Sequence, residues 1–331
     1  MTLKNKLTRA VVSSVAAGVV AASAVIGTGT VSHQADSPTP QEVDVQLATW
    51  QTPKDFSDPH GVNNYAENNI VVFGDSLFAN PMAPNNPITG NLGGNKNGYP
   101  SVWNNVGCAS GTLSIASELR TKTPRPVSDY TCLGGGVTIN TKNADFVEAV
   151  NHAITSGAIN PTTGDVVISI GLVDYNTLNA FQGTPVRFGN TQGTQQMFVD
   201  TMKQQVARMR AINPNVKVHF ATYPSISAPN GAVCPIRSHL DGNNVGFNLE
   251  YTGFFKAFED NTSYSLWRSA TETGSDYIDL RDMTKFKNMC APDSERIITG
   301  VYEETQDHNM KFHLTHKGVR EVADMIAQRI L

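Results

Sequence analysis

Ser76 and a histidine among His308, His313 and His316 are the side chains whose types and settings admit covalent chemistry. Ser76 follows a short apolar run, Ile70-Val71-Val72-Phe73, that breaks at Gly74 and delivers a hydroxyl in Gly74-Asp75-Ser76-Leu77. A serine hydroxyl is barely ionised at neutral pH, so it attacks a carbonyl only while a base takes its proton. The stretch Asp307-His308-Asn309-Met310-Lys311-Phe312-His313-Leu314-Thr315-His316-Lys317-Gly318 offers that base just ahead of a C-terminal helix. Together the two segments supply a candidate nucleophile and a base for it.

Both must be held at one edge of a sheet. The 70–73 run, bounded by asparagines and a Gly-Asp-Ser turn, reads as a buried parallel strand, as does Asp165-Val166-Val167-Ile168-Ser169-Ile170. Further strands are expected at 127–132, 216–222 and 277–280. Helices are expected at 114–120, at 143–157 from the spacing of Phe146, Val147, Val150 and Ile154, at 195–212 with Thr194 as N-cap, at 247–273 and at 319–331. Residues 224–244 read as loop, and 80–111, dense in Asn, Gly and Pro, as a long loop pinned by Cys108. Strand and helix alternate, which predicts an α/β fold, a three-layer α/β/α sandwich around a central parallel sheet with right-handed crossovers. In such sheets ligands bind beyond the carboxyl ends of the strands, where Ser76 falls.

The chain has 331 residues, 40% hydrophobic and 16% charged, enough for a substantial core. Lys4, Lys6 and Arg9 precede an uncharged run rich in Ala, Val, Gly and Ser, so residues 1–32 read as a secretory signal peptide. Residues 33–66, polar and carrying Pro38, Pro40, Pro53 and Pro59, read as a linker or arm, and 67–331 as the domain. Three of the 25 basic residues leave with the leader while all 29 acidic ones stay. A mildly acidic chain has no electrostatic reason to seek nucleic acid or an anionic membrane. Export fits the four cysteines, which lack any C-x-x-C spacing. Three pairings are possible, and closeness in sequence favours Cys108 with Cys132 and Cys234 with Cys290.

On Gly74-Asp75-Ser76-Leu77 and His313-Leu314-Thr315-His316-Lys317-Gly318, the chain from residue 70 to 331 resembles the SGNH, or GDSL, hydrolase superfamily, and is similar to its secreted actinobacterial esterases and lipases. The resemblance implies a flavodoxin-like fold, Ser76 as nucleophile, His313 as base, and no cofactor or metal. It also implies an oxyanion hole from the N–H of Ser76 and a glycine in Asp129-Tyr130-Thr131-Cys132-Leu133-Gly134, with Gly134 the choice and Gly107 and Gly111 as alternatives. Two positions depart from the family pattern. Gly171-Leu172-Val173-Asp174 has valine where the family has an oxyanion-donating asparagine, and Asn176 is the nearest substitute. Met310 stands where the acid would be, leaving Asp307 as the candidate acid or a backbone carbonyl in its place.

Asp174 reads as a cap or structural loop residue rather than a catalyst. His308, His313 and His316 with Asp307 lack the spacing of a H-E-x-x-H helix or a zinc finger. There is no phosphate loop, and no G-x-S-x-G elbow of the α/β-hydrolase type. The function expected is an exported, monomeric serine esterase or lipase acting on acyl esters of lipids or envelope glycans. The alternatives are an acyltransferase using the same serine, and an envelope-associated binding protein that kept the fold without turnover.

Overall fold

The computed structural model describes residues 67–82, 96–138, 145–175, 191–238, 245–249 and 253–331. The leader and arm expected at 1–32 and 33–66, and Asn176, lie outside the described residues. In chain order the elements are β1 (Ile70–Gly74), α1 (Ser76–Ala79), β2 (Ser101–Trp103), β3 (Ala109–Gly111), α2 (Ile115–Lys122), β4 (Val127–Thr131), α3 (Phe146–Thr155), β5 (Asp165–Ser169) and α4 (Leu172–Tyr175). They continue with α5 (Thr191–Ile212), β6 (Lys217–Ala221), β7 (Val233–Ser238), β8 (Val245–Leu249), α6 (Gly253–Thr273), β9 (Asp276–Ile278), α7 (Leu280–Met283), β10 (Tyr302–Glu303) and α8 (His316–Ile330).

Five strands form one parallel sheet in the order β4-β1-β5-β6-β9. Every residue of β1, β4 and β5 is buried, as strands covered on both faces must be. The chain steps outward from β1 to β4, then returns past β1 to β5, β6 and β9. With right-handed crossovers that reversal puts α2 on one face and α3, α5 and α6 on the other. The packing agrees: α2 lies against α8, while α5 packs on both α3 and α6. This is the flavodoxin-like order, whose switch point is the crevice between β1 and β5. The α8–α2 contact brings the segment ahead of α8 to the carboxyl end of β1.

Local chemistry fixes the helix starts. Ser114 caps α2 in a capping box with Ser117, and Asp145 caps α3 by accepting from Val147 N–H. Thr315 caps α8, accepting from Gly318 N–H at 2.9 Å. A Cβ at Gly318 would lie 2.4 Å from the Ile297 carbonyl oxygen, so only glycine lets α8 start this close to its neighbour.

Four expectations need correction. α5 begins at Thr191, so Thr194 is a buried residue within its first turns and not its cap. The stretch read as loop contains β7, and residues 245–249, read partly as helix, form β8. Pro235 hides β7 from a pattern search because it lacks a ladder N–H; the β7–β8 register shifts between Val233 and Ile236 to accommodate it. The long 80–111 stretch also holds the β2–β3 hairpin.

Both expected disulfides are present, Cys108–Cys132 and Cys234–Cys290. The first ties the hairpin to the end of β4, and the second ties β7 to the 284–296 segment. Each closes a loop whose unfolded-state entropy is worth about 3 to 4 kcal/mol. Replacing Cys234 and Cys290 with serine is therefore expected to lower the thermal midpoint by several degrees, read by calorimetry against the parent chain.

Candidate active site

Gly74 ends β1 beneath the first turn of α1. A Cβ there would lie 2.8 Å from the Phe78 Cβ and 3.0 Å from the Ser169 carbonyl oxygen, so the turn closes only over glycine. Asp75 caps α1, its Oδ1 accepting from Leu77 N–H at 3.1 Å, and Ser76 is the first helical residue. The Ser76 N–H, at a helix start, has no acceptor among the described residues.

His313 meets this serine: its Nε2 lies 2.7 Å from Ser76 Oγ. Nδ1 lies 2.7 Å from the Lys311 carbonyl oxygen. A carbonyl only accepts, so Nδ1 carries the proton and Nε2 presents its lone pair to the serine hydroxyl. Desolvation pushes the imidazole down to about 4, against the raising effect of the Lys311 carbonyl, so the ring is neutral at neutral pH. Thr299 holds the backbone on either side, its Oγ1 accepting from His313 N–H at 3.0 Å and its N–H donating to the His313 carbonyl at 2.8 Å.

Asp307, the expected candidate acid, is not at the imidazole. Its Oδ1 accepts from Asn97 at 2.8 Å and its carbonyl from His316 N–H at 2.9 Å. The reason lies in Phe312, whose φ of 61° is rare for a bulky residue. The Phe312 N–H bonds the Gly300 carbonyl at 3.0 Å and its ring centroid sits 5.2 Å from that of Phe255. This left-handed turn folds the Lys311 carbonyl back under the imidazole of the residue two further on. Asp174, read as structural, is bonded as such: its carboxylate takes the N–H groups of Val137 and Thr138 and the Thr138 hydroxyl.

Gly134 follows β4, the neighbour of β1, at a φ of 77° in a turn closed by Gly135 N–H to the Cys132 carbonyl at 2.9 Å. Cys132 N–H bonds the Gly74 carbonyl at 2.9 Å, which docks this turn on the end of β1. Of the alternatives, Gly107 spends its N–H on Asn104 O at 3.0 Å, and Gly111 lies within β3, packed on the Asn80 carbonyl. Val173 sits in α4.

Sequence reasoning missed Asn309, which is fully buried. Its Nδ2 donates to the carbonyls of Asn80 at 2.8 Å and Tyr99 at 3.1 Å, while its Oδ1 accepts from Tyr99 N–H at 2.7 Å and lies 3.1 Å from His316 Nε2. It thereby ties the histidine loop to Asn80, the C-cap of the helix that carries Ser76. A buried asparagine has no local sequence signature that separates it from an exposed one. His308 bonds the Gln306 carbonyl, so the three histidines face three different partners.

The fold and site together define an α/β chain of flavodoxin-like order with a serine–histidine pair at its switch point. Its structural neighbours are esterases and lipases. They include the extracellular lipase from Streptomyces rimosus, with a TM-score of 0.49, 13% identity, and coverage of 80% of this chain and 99% of that one. Phospholipase A1 from Streptomyces albidoflavus gives 0.48 and 12%, covering 80% and 99%. The M. smegmatis aryl esterase gives 0.44 and 14%, with the same coverage. No family model matches the chain, and no curated protein matches it. What the site can do follows from this chain's own side chains.

Proposed function

We propose that this chain is a serine esterase of the SGNH type that cleaves acyl esters through an acyl-serine, without cofactor. The observation that carries the reading is the 2.7 Å approach of His313 Nε2 to Ser76 Oγ, with Nδ1 satisfied by a carbonyl. Ser76 Oγ adds to the ester carbonyl carbon as its proton passes to Nε2. The tetrahedral oxyanion is held by the N–H groups of Ser76 and Gly134. Collapse expels the alcohol, which takes the proton from Nε2, and water repeats the sequence to free the acid. The Lys311 carbonyl fixes the tautomer, the first duty of a triad acid, but offers the imidazolium no counter-charge. The substrate is an acyl ester of a lipid or an envelope glycan, and the disulfides fit an exported protein. An acceptor hydroxyl in place of water would make the same intermediate a transferase.

The full chain is expected to hydrolyse p-nitrophenyl esters, with the acyl length preferred among C2, C8 and C16 sizing the pocket. A folded chain that hydrolyses none of them overturns the proposal. The acid limb of kcat/KM is expected well below the ordinary imidazole value of 6.5, toward about 4, because desolvation keeps His313 unprotonated. The stability sign agrees. Below pH 6.5 the unfolded state takes up a proton that the folded state refuses, so this histidine costs stability progressively from 6.5 down to about 4. A limb at 6.5 would mean that the ring is as hydrated as a free imidazole.

A further inference from the structure

Tyr223, just beyond β6, is buried, and its hydroxyl makes two bonds. It donates to Asp75 Oδ2 and accepts from the N–H of Leu172 at 3.2 Å. Since Asp75 Oδ1 takes Leu77 N–H, one hydrogen-bonded chain runs from the turn that carries Ser76, through the tyrosine hydroxyl, to the first residue of α4. That chain crosses the crevice between β1 and β5. It continues, because Asp174 of the same short helix holds the backbone of Val137 and Thr138, which follow the Gly134 turn. A single phenol thus links the supports of both backbone donors assigned to the oxyanion.

Packing asks only for the ring, and the hydroxyl serves the two buried polar groups that it bonds. The Tyr223 ring belongs to the hydrophobic core, where phenylalanine has the same shape. The buried Asp75 carboxyl, by contrast, gains the Leu77 and Tyr223 bonds alone among the described residues, and burial raises it to about 7. An arrangement that buries a carboxyl against a phenol, with no cation beside either among the described residues, is costly to stability and calls for a return elsewhere. The return is geometric. Val173 stands where the resemblance places an amide side-chain donor, and the donors that the esterase reading assigns to the hole are the backbone N–H groups of Ser76 and Gly134. Such donors lower the barrier only when they are preorganised at the oxyanion position, and misplacement by about 1 Å costs on the order of a hundredfold.

We propose that Tyr223 is a positioning residue that fixes the spacing of the Ser76 and Gly134 N–H groups by clamping Asp75 to the start of α4. The inference rests on the esterase reading and deepens it. In the full-length chain, Tyr223→Phe is expected to lower kcat on p-nitrophenyl acetate by about 10- to 100-fold, with KM unchanged within about twofold. Affinity for an alkyl boronic acid, whose serine adduct carries the tetrahedral charge, is expected to fall by the same factor. Burst titration with a fluorophosphonate should still count the same number of reactive serines per chain as the parent. An unchanged kcat, or a fall in kcat matched by a loss of titratable serine, overturns the inference. If Tyr223→Phe does not fold, Asp75→Asn replaces it: an asparagine keeps the Leu77 cap but opposes an amide N–H to a hydroxyl that already accepts from Leu172, and the same split is expected. A parent chain with neither hydrolysis nor labelling removes the esterase reading and this inference with it. A parent that turns over beside a variant of equal kcat removes this inference alone.

Discussion

Ser76→Ala is expected to lower ester hydrolysis by roughly 10^4- to 10^6-fold, and His313→Ala by a similar factor, with the double variant little worse than either. The non-additivity is the informative part. A serine without its base and a base without its serine each lose the same covalent step, so the second substitution removes nothing that remains. Residual turnover in all three variants reports binding and oxyanion contacts alone. Both substitutions leave the fold standing, since Ser76 offers only one hydroxyl and His313 is held through its backbone by Thr299. Circular dichroism and thermal midpoints close to those of the parent should accompany the loss. A reading in which the chain binds without catalysis expects instead that the parent and all three variants are equally slow.

Arg296→Met is expected to cost about 3 to 5 kcal/mol of stability, read by chemical denaturation. Arg296 and Glu303 are both fully buried side chains, joined at 2.5 Å, and the guanidinium also reaches Asp293 at 2.7 Å, Thr305 at 2.6 Å and the Ile298 carbonyl at 2.9 Å. Methionine fills the space of the stem but leaves Glu303 without its charge partner. Burial alone raises the Glu303 carboxyl; the bonds and charge of Arg296, with Gly300 N–H and Thr305, outweigh it and hold the group below its usual range. With the folded value depressed, the pair stabilises the protein above the unfolded carboxylate range. That contribution is lost as pH falls through the lower folded value. The parent should therefore lose stability in acid more steeply than the variant. Activity should suffer too, because the 296–303 segment carries Thr299 and Gly300, which hold His313 and Phe312.

Much of this was legible in the sequence for a physical reason. β1 and β5 are buried on both faces and carry apolar runs, so 70–73 and 165–170 declare themselves, and the three-and-four spacing of Phe146, Val147, Val150 and Ile154 declares α3. The Ser76–His313 pair was legible because the chemistry proposed for it needs particular residue types at particular edges of the sheet. Pro235 concealed β7, since a strand tolerates proline only at a bulge. The partner of His313 Nδ1 left no trace because it is a backbone carbonyl, and every residue has one; only the left-handed turn at Phe312 makes the one at Lys311 special. Asp307 drew attention by type alone, and that turn aims its loop elsewhere. Tyr223 and Asn309 act on partners 148 and 229 residues away, which no local pattern can register.

The central claim is that Ser76 is a nucleophile activated by His313. Incubating the full-length chain with a fluorophosphonate and locating the adduct by peptide mass spectrometry tests it most directly. The expected result is a stable adduct on Ser76 of the parent, none on Ser76→Ala, and labelling slowed at least a thousandfold in His313→Ala, roughly the catalytic loss of a missing base. A folded parent chain that forms no adduct at Ser76, or one that labels equally fast without His313, contradicts it.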